Sequence, residues 1–335
     1  MEFSYYIGCD VSKNELDFAV TDGKQFVFHR EIANEPSAIK AFVDELKKLP
    51  KFDLSKAVFC MEHTGIYNNH LLVYLHKKKA NCCLEAATHI KNSLGNIRGK
   101  NDKVDAIRIA EYAYKNREDL RLWQPKREVI QLLAQLAATR SRLISARKML
   151  KTAVNENNGF VKKSIASQQE KLCVRTLNSI DADVEKVEQQ VEEVINNDEE
   201  LKRLFGLITS VNGIGKVTGT QIIIATNEFL DIKDPKKFAC YAGVAPFTKE
   251  SGLFKGKARV SHMANKNVKT LLHMSAMTAI SCNGDLKKYY ERKVKEEKKN
   301  KMLVINAVRN KHILRIFACV NQNRKYEKEY EKKAA

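Results

Sequence analysis

The chain reads as an α/β domain followed by a long helical hairpin and a mainly helical C-terminal region. Three observations predict this. Residues 4–32 hold three β-type runs in succession, and helical and β-type segments then alternate to residue 87. After Pro125 chain breakers become rare and apolar residues recur at helical spacing. From about residue 204 glycines return among helical segments. The expected boundaries are 1–124, 125–203 and 204–335.

The runs YYIGCD, LDFAVTDG and QFVFHREI are apolar or alternating, and Asp22-Gly23 is a hairpin turn signal between the second and third. Pro36, at a first helical position, opens a helix expected to reach about Leu49. AVFCME (57–62) has the continuous apolar character of a buried strand. Residues 68–79 place Leu71, Leu72 and Leu75 on one helical face, and NCCLEAA (81–87) is a further strand. The order βββαβαβα is that of an RNase H-like core. That core is a mixed sheet with helices on its faces, in which the first and fourth strands are neighbours.

Residues 126–152 carry a helical stripe through Leu132, Leu133, Leu136, Leu143 and Leu150, and the polar break NENNG (155–159) follows. A second long helix is expected to run to about 200. Within it Ile180, Val184, Val187, Val191 and Val194 step by 4, 3, 4 and 3, a heptad seam that predicts an antiparallel coiled-coil hairpin. Such a seam also suits the joining of two chains. The plain alternative is two ordinary helices packed on a globular domain. Residues 285–335 end the chain as a basic helical tail.

Composition narrows the function. The 335 residues carry 59 Lys+Arg against 40 Asp+Glu, a net charge of +19, and are 44% hydrophobic, which is globular rather than disordered. The excess is localised: residues 285–335 carry 16 Lys/Arg against 7 Asp/Glu, and residues 205–284 carry 10 against 4. A polyanion is the partner such a surplus favours, and nucleic acid is the commonest one. No apolar run approaches the ~20 residues that span a bilayer. The N-terminus lacks a basic-then-apolar leader pattern. A cytoplasmic, nucleoid-associated protein without membrane contact is expected. The eight cysteines are scattered with no CxxC pair, so free thiols are expected rather than disulfides or a zinc site.

Three motifs carry chemistry. The first is a set of carboxylates: Asp10 at the end of the first strand, Glu62 at the end of AVFCME, and Asp102 with Asp105 in KNDKVDAIRIAEYA. The i, i+3 spacing puts the last two on one helix face. Carboxylates so crowded repel, and hard divalent cations between them supply the neutralisation. Two Mg²⁺ ions about 4 Å apart would suit in-line phosphoryl displacement. The plain alternatives are a turn residue at Asp10, an N-cap at Asp102 and an exposed acid paired with Arg108 at Asp105. Asp17 is expected to face solvent, Glu85 is a neighbouring decoy, and His63 is an accessory at most.

The second motif is LITSVNGIGKVTGTQIIIA (207–225), a helix–Gly-x-Gly–helix turn. Gly213, Gly215 and Lys216 are positioned there to hold a nucleic-acid backbone, as in a helix-hairpin-helix element. An ordinary tight turn is the alternative. The third lies in 238–276, where Ser251-Gly252 stands among Lys249, Lys255, Lys257 and Arg259. Composition alone makes Ser251 a loop serine. The basic neighbours would lower the cost of an alkoxide attacking a phosphodiester.

IGCDVSK, MEHTGIY and KNDKVDA, followed by YAGVAPFTKESG and VSHMANKNVK, resemble the insertion-sequence one-ten transposases of bacteria and archaea, the DEDD transposases, over nearly the whole chain. The resemblance implies a RuvC-like N-terminal domain with Asp10, Glu62, Asp102 and Asp105 as a metal-binding tetrad for Mg²⁺ or Mn²⁺, and Ser251 as a serine nucleophile forming a transient phosphoserine link to DNA. It further implies double-stranded DNA at element ends and target, a non-coding guide RNA, and a homo-oligomer, dimer or tetramer, in which the carboxylate site of one subunit completes the serine site of another. Where many members carry Lys-Arg-Gly, this chain has His262-Met263-Ala264, two cations and a glycine fewer. The expected function is therefore a DNA transposase/recombinase. The alternatives are a RuvC-like metal-dependent nuclease, in which Ser251 is idle, and a non-enzymatic nucleic-acid-binding protein. An actin-like ATPase would need glycine-rich phosphate loops that the sequence lacks.

Overall fold

The computed structural model describes residues 3–93, 101–156, 160–248, 250–252, 254–256, 258–261, 263–282 and 284–327. The chain divides into two compact units, Met1–Pro125 and Lys126–Ala335.

In the first unit β1 (Tyr5–Val11), β2 (Glu15–Asp22) and β3 (Gln25–Ala33) form an antiparallel meander. The turn at Gly23 has φ +59°, a conformation that glycine adopts without strain. The strands β4 (Ala57–Glu62) and β5 (Asn81–Glu85) add parallel to the other edge of β1, giving the order β3-β2-β1-β4-β5. This is the mixed arrangement expected from the element order. Alternation along the strands divides the core between the two faces. Ile7, Phe18 and Phe59 lie on one side with α1 (Pro36–Leu46) and α2 (Asn69–Lys77), where Phe18 stacks on Phe42 at 4.0 Å. Tyr6, Val58 and Cys60 lie on the other with Ile109 and Tyr112 of α4 (Asp102–Lys115), which follows the short α3 (Ala87–Ser93). The first helix stops three residues short of Leu49. Residues 65–68 form a 3-10 turn ahead of α2.

The second unit opens with α5 (Glu128–Glu156) and α6 (Lys163–Asn196). Arg140 reaches Glu188 and Arg147 reaches Asp181, so the two helices run antiparallel. Val184 and Val187 of the expected seam are buried, as is Leu133, but Leu132 is half exposed. Adjacent helical positions lie about 100° apart, so both leucines cannot face inward. The chain continues through α7 (Glu199–Thr209), α8 (Lys216–Thr226), α9 (Pro235–Tyr241), α10 (Lys266–Ser281), α11 (Asp285–Glu291) and α12 (Lys301–Asn321). Four two-residue strands interrupt them: β6 (Pro246–Phe247) pairs with β9 (Arg259–Val260), and β7 (Glu250–Ser251) with β8 (Phe254–Lys255). The core joins Ile130 and Leu133 of α5 to Leu204, Phe238, Leu272 and Phe317. Arg127 ties the start of the unit to Asp198 and to the buried Glu228. All eight cysteines are free, and among the described residues no helix is long and apolar enough to cross a membrane.

Candidate active site

The strand ends of the first unit set Asp10 and Glu62 on neighbouring strands, with Asp102 and Asp105 within electrostatic reach of Asp10. β1 and β4 are hydrogen-bonded in parallel up to Cys9–Met61, and Asp10 and Glu62 each stand one residue beyond that pair. α4 crosses the same end of the sheet with unusually close backbone contact. A Cβ added at Gly8 would lie 2.1 Å from the Ala106 carbonyl oxygen and 2.3 Å from the Ala110 nitrogen. Gly8 and the small side chains of Ala106 and Ala110 thus let the helix backbone rest on the strand. That contact delivers the first turn of α4, with Asp102 and Asp105, to Asp10. The side chain of Asn101 caps the helix by accepting from Val104 N at 3.2 Å. The cap is therefore Asn101, not Asp102, and the plain reading of Asp102 is set aside.

The electrostatics report the convergence. The half-buried Asp10 is pushed up to about 6, first by burial and then by Asp102, Asp105 and Glu62, against a lowering contribution from the Val11 N–H. Asp105 also takes an ion pair from Arg108 at 2.8 Å, the other plain alternative, which the structure does contain. Among the described residues no group of three or more His, Cys, Asp or Glu is gathered to hold a metal ion as the side chains stand. The donor chemistry does fit a divalent cation. Asp102, Asp105 and Glu62, all hard oxygen donors, each raise the proton affinity of Asp10, and a cation would relieve that repulsion.

The neighbouring acids have other work. Glu85, in register with Glu62, is held by the Cys83 thiol, His89 and the Tyr112 hydroxyl. Asp17 does not face solvent. It is 7% exposed, lies opposite Asp10 and pairs with His29 Nε2 at 2.8 Å. This corrects the expectation of a solvent-facing carboxylate: its partner His29 sits on β3, which local alternation does not reveal. His63 Nδ1 accepts from Gly65 N at 3.3 Å.

In the second unit the turn between α7 and α8 packs deeply. Gly213 has φ +90°, and a Cβ there would lie 2.7 Å from the Ser275 carbonyl oxygen. Gly215 caps α8 with nothing within 4 Å of a built Cβ, so the helix N-terminus is open to solvent. Lys216 forms an ion pair with Glu192 of α6. The fully buried His312 of α12 donates from Nε2 to the Asn212 carbonyl at 3.0 Å, pinning the turn from below. Ser251 ends β7, is exposed, and pairs with Phe254 beside Gly252 at φ +56°. Arg259 is exposed on β9, opposite Phe247, and Lys255 lies on β8. Lys249 and Lys257, together with His262, lie outside the described residues.

The His312 contact predicts a pH dependence. Burial, the largest cause, pushes His312 down to about 4, with Arg315 adding to it, while its bond to Asn212 and the charge of Asp285 oppose. The unfolded chain takes up this proton near pH 6.5, so stability is present above that pH and is lost as pH falls toward 4. The loss amounts to up to about 3 kcal/mol. Urea midpoints of His312→Gln and the parent chain, compared at pH 7.5 and 4.5, should show the smaller pH dependence in the variant.

Comparison with known proteins adds to this geometry. A family model for DEDD transposases of the IS110 type matches residues 7–157, and one described as "Transposase IS116/IS110/IS902 family" matches residues 206–291. A pilin gene-inverting protein of Moraxella bovis is 25% identical over 96% of this chain and 98% of its own length. An uncharacterized 44.8 kDa protein of insertion element IS116 from Streptomyces clavuligerus is 30% identical over 30% of this chain and 27% of its own. Among solved structures, T. thermophilus RuvC in complex with a Holliday junction substrate aligns to 36% of this chain and 99% of its own, at 12% identity and a TM-score of 0.27.

Proposed function

We propose that this DNA recombinase/transposase, whose chain matches the DEDD transposase model of the IS110 type over residues 7–157 and the IS116/IS110/IS902 transposase model over residues 206–291, cuts and rejoins DNA through a carboxylate site and a serine nucleophile. The observation that carries the reading is that Asp102, Asp105 and Glu62 all act on Asp10 from two further segments, adding to the burial that is the largest cause of its carboxyl being pushed up to about 6. These four would hold Mg²⁺ or Mn²⁺, which when bound neutralises the carboxylates and the charge developing on a phosphodiester. Ser251 is exposed and stands beside Gly252, where nothing among the described residues lies within 4 Å of a built Cβ. Its Oγ would attack the phosphorus, form an Oγ–P bond and expel a DNA hydroxyl, which takes up the proton. Attack by a second strand's hydroxyl then releases Ser251 and rejoins the DNA. The basic second unit and the open α8 N-terminus at Gly215 suit a DNA backbone. A guide RNA and assembly into a homo-oligomer complete the proposal.

The test incubates purified protein with its element's flanking RNA, Mg²⁺ and a DNA carrying the element junction. A protein–DNA adduct that survives denaturation is expected from the parent chain and from neither Ser251→Ala nor Asp10→Ala. Cleavage without an adduct, unchanged in Ser251→Ala, would make the protein a metal-dependent nuclease instead.

A further inference from the structure

We propose that Asn34 and Asn68 are positioning residues that together fix the separation of the Asp10 and Glu62 carboxylates, an inference that rests on the carboxylate-site reading above. Asn68 is 1% exposed, and both the oxygen and the nitrogen of its amide are hydrogen-bonded. Its Oδ1 accepts from Thr64 N at 2.8 Å and from Thr64 Oγ1 at 3.0 Å, and its Nδ2 donates to the Glu62 carbonyl at 2.9 Å. One side chain therefore holds the backbone on which Glu62 leaves its strand. Asn34 donates from Nδ2 to the Ser12 carbonyl at 2.9 Å and to the Tyr67 carbonyl at 3.0 Å. Ser12 is two residues past Asp10, and Tyr67 precedes Asn68.

The contacts make a path that the Cys9–Met61 pair closes into a ring: Asp10 to Ser12 along the chain, Ser12 to Asn34 to Tyr67 through the amide, Tyr67 to Asn68 along the chain, and Asn68 to Glu62. The ring takes over where the β1–β4 ladder stops, since the last registered pair is Cys9–Met61. Without it two mutually repelling acids would sit on strand ends that no β1–β4 pairing constrains. Amides suit the task because their NH2 groups donate to main-chain carbonyls without adding charge beside the proposed carboxylate site. Aspartate at 68 would lose the donor to Glu62, and alanine would lose all three bonds.

Mn²⁺ titrated calorimetrically into the full chain gives a readout apart from activity, with a thermal melt recorded for each variant. Asn34→Ala and Asn68→Ala are expected to weaken Mn²⁺ binding by about tenfold, the usual scale for groups that orient metal ligands. Asn81→Ala is the control. It removes a comparable brace at the opposite end of the sheet, to the Ser55 and Ala57 carbonyls, and should lower the melting temperature while leaving Mn²⁺ affinity unchanged. Asn34→Ala and Asn68→Ala that melt early yet bind Mn²⁺ like the parent would overturn the proposal. Asn34, only half-buried and outside the ladder of β1 and β4, decides alone if Asn68→Ala does not fold. Asp10→Ala separates the two levels of inference. If the parent chain binds no Mn²⁺, or Asp10→Ala binds it equally well, the carboxylate-site reading itself fails and the brace falls with it. Binding lost in Asp10→Ala but kept in both asparagine variants overturns the brace alone.

Discussion

Gly8→Ala is expected to destabilise the N-terminal unit by about 5 kcal/mol, enough to leave much of it unfolded, and to abolish recombination. The single added methyl would have to share space with the Ala106 carbonyl oxygen at 2.1 Å and the Ala110 nitrogen at 2.3 Å. Both are backbone atoms of a regular helix, so neither can step aside as a flexible side chain would. The helix must lift as a body, exposing Ile109, Tyr112 and the face of the sheet beneath them. Any molecules that stayed folded would carry Asp102 and Asp105 away from Asp10. The experiment is convenient because Trp123 is the chain's one tryptophan and packs against the core of this unit. Its fluorescence during urea titration reports the unit by itself. A midpoint within experimental error of the parent's would mean that α4 does not rest on β1 as described.

Gly213→Ala and Gly215→Ala form a pair with opposite expected outcomes. At 213 the methyl would meet the Ser275 carbonyl oxygen at 2.7 Å and Ala279 Cβ at 2.8 Å, on a backbone with φ +90°. Steric overlap and left-handed strain together should cost about 4 kcal/mol in the C-terminal unit. At 215 nothing lies within 4 Å and the backbone is extended, so stability should change by less than about 0.5 kcal/mol. If α8 offers its N-terminus to DNA, Gly215→Ala should still lose duplex affinity, because the methyl occupies the approach of the phosphate. Thermal melts and filter binding at fixed salt read the two effects separately. Full duplex affinity in a stable Gly215→Ala would remove the DNA role from this turn while leaving its structural role intact.

Much of the sheet is legible because its strands are short, apolar and bounded by turn residues. The proposed carboxylate set is legible only through its order along the chain. Singly, Asp102 read as a cap, and it took the capping bond of Asn101 to Val104 to show otherwise. What the sequence concealed depends on contacts between distant segments. Gly8 breaks no pattern in its strand, although a glycine inside a strand is itself a sign of close backbone approach. Asp17 has its partner on another strand, and the bonds of Asn34 and Asn68 run to main-chain carbonyls, which leave no trace in side-chain patterning. Ser251 was placed in a loop because two-residue strands are too short to show alternation.

The seating of α4 on Gly8 also orders events during synthesis and folding. The strand bearing Asp10 is among the first segments made, whereas the helix bearing Asp102 and Asp105 is the last regular helix of its unit. Closing so long a stretch of chain is entropically slow, and local elements such as the β1–β2–β3 meander can form well before it. The acidic constellation therefore comes into being only with the final docking step. A nascent or truncated chain ending before Asp102 can carry a partly formed sheet but not the proposed carboxylate site, which on that reading exists only once the whole N-terminal unit is complete.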